Sequence, residues 1–142
     1  MILVLNIRAR EQVIWQLYQD DKLVASQLVA KIEQSDNFLA ALEALFKKTG
    51  KNISSVKAFI LLVKEASLTQ VKLAAAILNT LAWFQAKPIM GEFFYQDLEI
   101  ELLSKLFIKI SKQKDFKPLM VDYKKPVDIT ISKKVNKFSL TK

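Results

Sequence analysis

The chain of 142 residues contains neither cysteine nor histidine. Without cysteine there is no disulfide, no thiolate nucleophile and no cysteine-ligated metal. Without histidine the commonest general base and the commonest metal ligand are also missing. Any enzyme chemistry would therefore have to rely on carboxylates, lysines or hydroxyl groups.

Glycine, proline and long apolar runs are also scarce. Two glycines and three prolines interrupt the chain, which favours long regular helices and strands. The longest apolar runs, at residues 58–63 and 73–78, have six residues each, whereas a membrane-spanning helix needs roughly 20. The amino end lacks the basic start and the cleavage site of a signal peptide. We expect no membrane span and a cytoplasmic protein.

Charge is unevenly distributed along the chain. Residues 1–104 carry 11 Lys or Arg and 11 Asp or Glu, whereas residues 105–142 carry 11 Lys and three Asp. A basic end can bind RNA or another polyanion through phosphate contacts, although solvated lysines can equally serve only solubility. No arginine lies there, so base-specific recognition is not indicated. The candidate polyanion contacts are Lys124, Lys125, Lys133, Lys134 and Lys137.

Hydrophobic periodicity predicts five strands and three helices. Asp20 and Asp21 lie in a polar stretch that predicts a hairpin between the second and third strands. Pro88 begins the last strand, where a missing N–H group is tolerated. The predicted strands cover residues 2–7, 13–18, 22–29, 56–63 and 89–94, and the predicted helices cover residues 35–49, 67–85 and 97–113.

The element order is βββαβαβ followed by one helix. Three antiparallel strands followed by strands with crossover helices are typical of the ribonuclease H-like, actin-type half domain, an α/β fold with a mixed five-stranded sheet. We assign residues 1–113 to this domain and residues 114–142 to a Lys-rich C-terminal tail.

The turn at residues 64–70 lies where many α/β proteins place a glycine-rich phosphate loop. It reads Lys-Glu-Ala-Ser-Leu-Thr-Gln and contains no glycine. A phosphate loop needs convergent backbone amides, usually with glycine at positive φ, and Glu65 would repel a phosphate. Ser67 and Thr69 have no base near them in sequence, so Ser67 fits a helix N-cap better than a nucleophile. We expect no catalytic residues, no cofactor and no metal.

Several short motifs carry a resemblance to a known family. They are Asn-Ile-Arg at residues 6–8, Gln-Ser-Asp at residues 34–36, the turn at residues 64–72, Pro88 and Gly91. With these motifs, the chain resembles the bacterial TsaB (YeaZ) family. The family's Gly-Pro-Gly-Ser-Phe-Thr-Gly-Leu-Arg turn has lost its glycines and proline here, while Ser67 and Thr69 keep their places. Residues 118–128 weakly resemble the family's C-terminal ending.

The resemblance implies a role as well as a fold. TsaB is the partner subunit of the enzyme system that makes threonylcarbamoyl-adenosine in tRNA, and it is regarded as non-catalytic. Asn6 stands where actin-type ATP sites carry a magnesium-binding carboxylate, and a neutral amide is a poorer ligand for that ion. Because no second domain follows, the chain resembles a shortened and diverged member of the family.

The resemblance also implies an interface. In the family, two helices pair with equivalent helices of the catalytic TsaD-type subunit. Here the helix at residues 67–85 is apolar over more than the stripe of about 100° that packing on a sheet requires. The implied interface residues are Phe38, Ala41, Leu45, Val71, Ala75, Leu78 and Ala82.

Four alternatives remain open at this point. The two helices can simply pack on each other and on the third helix, or they can pair two copies of the chain as a homodimer. The chain can instead be a basic RNA-binding protein that acts through its tail, including contact with tRNA. A residual ATPase is the fourth alternative, and we expect it to show no nucleotide binding.

Overall fold

Five strands form one mixed sheet, with helices on both of its faces. The structure is a computed structural model, and it describes residues 1–30, 35–95 and 99–119. The strands are β1 (Ile2–Ala9), β2 (Gln12–Gln19), β3 (Lys22–Leu28), β4 (Ala58–Val63) and β5 (Ile89–Phe93), and the helices are α1 (Ser35–Thr49), α2 (Leu68–Gln85) and α3 (Glu99–Lys112).

The strand order in the sheet is β3-β2-β1-β4-β5. β2 pairs antiparallel with β1 and β3, whereas β4 pairs parallel with β1 and β5. Parallel neighbours need a crossover connection, and α1 and α2 lie in the connections that lead into β4 and β5. The predicted α/β fold with a mixed five-stranded sheet is therefore confirmed.

Turn residues match the predicted boundaries. Asp20 and Asp21 both have positive φ, of 51° and 65°, which matches the twist of a two-residue hairpin and suits short polar side chains. Gly50, with φ of 70°, follows the end of α1. The start of β4 was predicted at residue 56 but lies at Ala58, because a short 3-10 helix precedes it and is capped by the Asn52 side chain.

Alternate residues of β1 and β4 supply two separate hydrophobic cores. Leu5 and Leu61 point toward α1 and α2 and lie in the larger core. Val4 and Ile60 point to the other face and pack with Leu106 of α3. Because both faces are covered, all six residues of β4 are buried, which explains its unbroken apolar sequence.

A buried hydrogen bond links the sheet to α1. The Trp15 indole, which is fully buried in β2, donates its Nε1–H to the backbone oxygen of Phe38 at 2.8 Å. Phe38 lies in the first turns of α1, so the bond fixes the helix at a defined height over the sheet.

The chain returns to the larger core after α3. Phe116 and Leu119 pack against it, so contact with the domain extends past the predicted boundary at residue 113. Within the parts of the chain that the structure describes, no helix is long and apolar enough to cross a membrane.

Replacement of Trp15 by Phe tests the link between β2 and α1. We expect Trp15→Phe to lower the free energy of unfolding by about 1–3 kcal/mol, because the Phe38 oxygen loses the indole donor and the smaller ring leaves a gap in the core. Urea denaturation measures the change. Trp83→Phe is the matched control, since Trp83 is 66% exposed and its replacement should change stability little. Equal losses in both variants would contradict the assignment.

Candidate functional site

The turn between β4 and α2 uses its polar groups to cap the helix. The Ser67 hydroxyl accepts the backbone N–H of Gln70 at 3.2 Å, and the Gln70 side chain accepts the backbone N–H of Ser67 at 2.9 Å. This reciprocal arrangement is a capping box. The predicted N-cap role of Ser67 is confirmed, and these two amides are already bonded within the chain.

The same glutamine joins the turn to the hairpin between β1 and β2. The Gln70 side-chain amide donates to the backbone oxygen of Arg10, and Gln70 is buried. Ala66 is fully buried in the larger core, whereas Glu65 is exposed. The turn is thus closed against the hairpin by the protein's own groups rather than open around an anion.

A polar cluster lies at the carboxyl end of β1. Asn6 is fully buried, and its side-chain amide donates to Gln16 Oε1 at 3.1 Å and to Glu99 Oε1 at 2.8 Å. Arg8 donates through Nε and Nη2 to the two carboxylate oxygens of Glu99, each at 2.9 Å. Asn6 was predicted to mark a lost magnesium site, and the structure shows it as a hydrogen-bond donor that ties α3 to the sheet.

The cluster keeps Glu99 ionised. Burial by itself raises the pKa of Glu99, but the hydrogen bonds from Arg8 and Asn6 and the nearby charges of Arg8 and Lys64 outweigh it, so the pKa lies below its ordinary value. The hydrogen bond with Glu99 raises the pKa of Arg8. A carboxylate with a lowered pKa is a weak base, so this group is suited to holding α3 rather than to accepting a proton.

One atom of the cluster has no partner. Asn6 Oδ1 is buried and accepts no hydrogen bond, which costs about 1–3 kcal/mol for a buried polar group. The amide cannot rotate by half a turn to relieve this, because Oδ1 would then face the Glu99 carboxylate. Sequence reasoning missed Glu99 and Gln16, since Glu99 lies 93 residues from Asn6 and no local pattern indicates the contact.

The described residues contain no group of three or more His, Cys, Asp or Glu side chains that could hold a metal ion. A cleft of about 650 Å³ lies at the opposite end of the sheet, near Met1 and the hairpin turn, and is lined by side chains of both charges. These include Asp20, Asp21, Lys57, Lys87 and Lys114. The cleft does not coincide with the polar cluster.

The seven predicted interface residues lie inside the domain. Six of them are at most 1% exposed and Ala41 is 7% exposed, and all belong to the larger core. They therefore cannot touch a partner while the domain is folded, and their assignment to a free surface is corrected. The larger core takes up Val71, Ala75, Leu78 and Ala82 of α2. It also takes up Phe38, Ala41 and Leu45 of α1.

The free face of α2 is formed by other residues. Ala76 and Thr80 are exposed, and Trp83 and Phe84 are 66% and 75% exposed. Residues 73–86 include no charged residue, although the exposed side of a surface helix is usually charged or polar. The predicted polyanion contacts Lys124, Lys125, Lys133, Lys134 and Lys137 lie outside the described residues.

The sheet order and the helix positions define a ribonuclease H-like, actin-type half domain. Two solved structures share this fold. One is YeaZ from Pseudomonas aeruginosa, with a TM-score of 0.56 and 18% identity, which covers 65% of this chain and 42% of that protein. The other is a protein described as similar to the peptidase YEAZ from Pseudomonas aeruginosa, with a TM-score of 0.56, 19% identity and the same coverage.

These comparisons confirm the resemblance to TsaB (YeaZ) at the level of the fold. The chain spans about two fifths of the length of those proteins, the covered share being 42% in both. No protein-family model matches the sequence, and no curated protein matches it.

The pH dependence of stability tests the Glu99 cluster. Because the pKa of Glu99 is lowered in the folded protein, its contribution is present above the ordinary carboxyl pKa of about 4.3 and is lost as the pH falls through the folded value. We expect Glu99→Gln to cost about 1 kcal/mol at pH 7, a modest figure because solvent screens the pair, and the difference from the unmodified protein to vanish near pH 2.

Glu101→Gln is the matched control, since Glu101 is an exposed carboxylate in the same helical turn. Chemical denaturation between pH 2 and pH 7 measures both variants. A Glu99→Gln profile parallel to that of the unmodified protein would contradict the assignment.

Proposed function

We propose that this chain is a non-catalytic binding module of the TsaB type, which docks on a larger catalytic partner. The observation that carries the proposal is the free face of α2 beyond Lys72, where residues 73–86 include no charged residue and Trp83 and Phe84 are exposed. Exposed aromatic side chains surrounded by small residues are frequent at the centres of protein interfaces.

α1 adds a small apolar patch on the same side of the sheet, next to the exposed charges of Glu43, Lys47 and Lys48. α1 and α2 cover the same side of the sheet, because Leu45 and Leu78 share the larger core. Leu39 of α1 is 47% exposed and is followed by the exposed Ala40. A partner with two apolar helices of its own could lie along both helices, and small alanine side chains would allow a close approach.

The proposal does not require catalysis. The amides at the start of α2 are partly used by the capping box, and Glu99 is neutralised by Arg8. Glu65, the exposed carboxylate of the turn that a nucleotide would occupy, would repel a phosphate. We therefore propose that the chain neither binds nor hydrolyses ATP.

The likeness in fold to YeaZ suggests the partner. Under this proposal the partner is a TsaD-type catalytic subunit, and the role is support of threonylcarbamoyl-adenosine synthesis in tRNA. A second copy of this chain is the alternative occupant of the same face, and the two are separated by measuring the mass of the complex with light scattering.

Two neighbouring alanines of α2 give a sharp test. Ala76 is exposed and Ala75 is fully buried. We expect Ala76→Glu to weaken association with the TsaD-type subunit by about tenfold or more, because it places an unpaired charge in the interface, and to leave thermal stability nearly unchanged. Ala75→Glu should instead unfold the isolated domain, because the charge would lie in the core.

Calorimetric titration against the partner and thermal unfolding measure the two effects. Unchanged affinity of a folded Ala76→Glu variant would exclude this face as the docking surface. Stable folding of Ala75→Glu would show that the burial of α2 is wrongly placed.

The charge of the C-terminal end favours a second activity, contact with tRNA or another polyanion. If the five lysines at positions 124, 125, 133, 134 and 137 supply it, replacing all five with Gln should lower tRNA affinity by about tenfold or more at low salt and flatten the salt dependence of binding. Filter binding at several salt concentrations checks this. Replacing Lys47, Lys48 and Lys51 provides a control on another part of the domain, and an equal loss there would indicate only unspecific attraction.

A further inference from the structure

A side chain of α2 binds the main chain of the segment that follows α3. Asn79 Nδ2 donates to the backbone oxygen of Leu119 at 3.1 Å, and the backbone N–H of Leu119 donates to Asn79 Oδ1 at 2.6 Å. The side-chain amide thus pairs with both main-chain groups of one residue, as a neighbouring strand would. Such a contact recognises the backbone of an extended segment whatever its side chains are.

The leucine side chain fills a space left by a glycine. A Cβ atom placed on Gly91 would lie 2.8 Å and 3.0 Å from the two terminal methyl carbons of Leu119 and 3.3 Å from the backbone oxygen of Leu61. Gly91 does not have positive φ, so its conformation does not require glycine. The Leu119 side chain therefore occupies the space beside Gly91 that a larger residue in β5 would share with it.

Two other residues of the segment, Phe116 and Pro118, help to hold it in this position. Phe116, three residues before Leu119, also packs against the larger core. Pro118 between them restricts the backbone to extended conformations. The segment has no helical or strand pairing of its own, so its place depends on these contacts.

We propose that Asn79 and Gly91 form a binding slot for an extended peptide that has an aromatic residue three positions before a leucine, and that the chain's own residues 116–119 fill it. The slot contacts main-chain atoms and one leucine side chain. The same segment of a second copy can therefore occupy it when the chain's own segment leaves. The inference is independent of the docking surface, since it needs neither Trp83 nor Phe84.

The slot lies beside the proposed docking surface on α2. Asn79 and Trp83 are four residues apart on α2, so they share one flank of the helix. A segment held at Asn79 therefore borders the free face of α2.

Hydrogen exchange tests whether Asn79 holds the segment. We expect Asn79→Ala in the full chain to speed exchange of the Leu119 amide by about tenfold or more, because the amide loses its acceptor Asn79 Oδ1. Thr80→Ala is the matched control, since the Thr80 hydroxyl bonds only within its own helix, to Ala76. Equal rates at Leu119 in Asn79→Ala and Thr80→Ala would overturn the role of Asn79.

Binding of a peptide in trans tests whether the slot is a site. In full-length Leu119→Asp the slot should be empty, and an amidated peptide of residues 113–119 with a fluorophore on its N-terminus should bind to it saturably in fluorescence anisotropy. The unmodified chain should bind it at least about tenfold more weakly, because its own segment is present at a high effective concentration. The same peptide with aspartate in place of leucine is the control.

Addition of Gly91→Val to Leu119→Asp should abolish peptide binding, because the added methyl groups fill the space that the leucine needs. Binding that is unaffected by Gly91→Val, or no binding by a folded Leu119→Asp chain, would overturn the proposal. If Leu119→Asp does not fold, the segment is a fixed part of the core that no peptide can replace, and the proposal of a peptide slot is overturned.

Discussion

The parallel pairing of β1 with β4 is the constraint on which the rest of the structure depends. Both strands are buried on both faces, and a doubly buried pair needs helices on each side of the sheet. α1 and α2 supply one cover and α3 supplies the other. The pairing also brings the end of β1, the turn after β4 and the start of α3 to one edge, where Asn6, Arg8 and Glu99 meet.

At that edge of the sheet, the polar groups form hydrogen bonds with one another and join the turn and α3 to the sheet. In α/β sheets, ligands commonly bind outside the carboxyl ends of the strands. Here the turn after β4 closes on itself through the capping box. The Glu99 carboxylate of α3 accepts hydrogen bonds from the Arg8 guanidinium and the Asn6 amide. Asn6 Oδ1 is the buried acceptor of this cluster that has no donor, which makes the cluster less stabilising than its four hydrogen bonds alone would suggest.

The two sides of α2 have different roles. The side toward the sheet carries Val71, Ala75 and Leu78 into the core. The side away from the sheet is uncharged after Lys72 and ends in two exposed aromatic residues. One flank holds the returning segment through Asn79. A single helix therefore contributes to the core, to the proposed docking surface and to the proposed peptide slot, with different residues in each.

The sequence by itself determined the element order, the fold class, the hairpin at Asp20 and Asp21, and the N-cap at Ser67, because these depend on local periodicity, backbone φ and short-range hydrogen bonds. Only the tertiary structure decided which apolar residues of α1 and α2 face the core. Periodicity shows that a helix has more apolar surface than one sheet needs, but it does not show which part the sheet covers. The contacts of Asn6 with Glu99 and of Asn79 with Leu119 join residues 93 and 40 positions apart, and such pairs exist only once the chain has closed on itself.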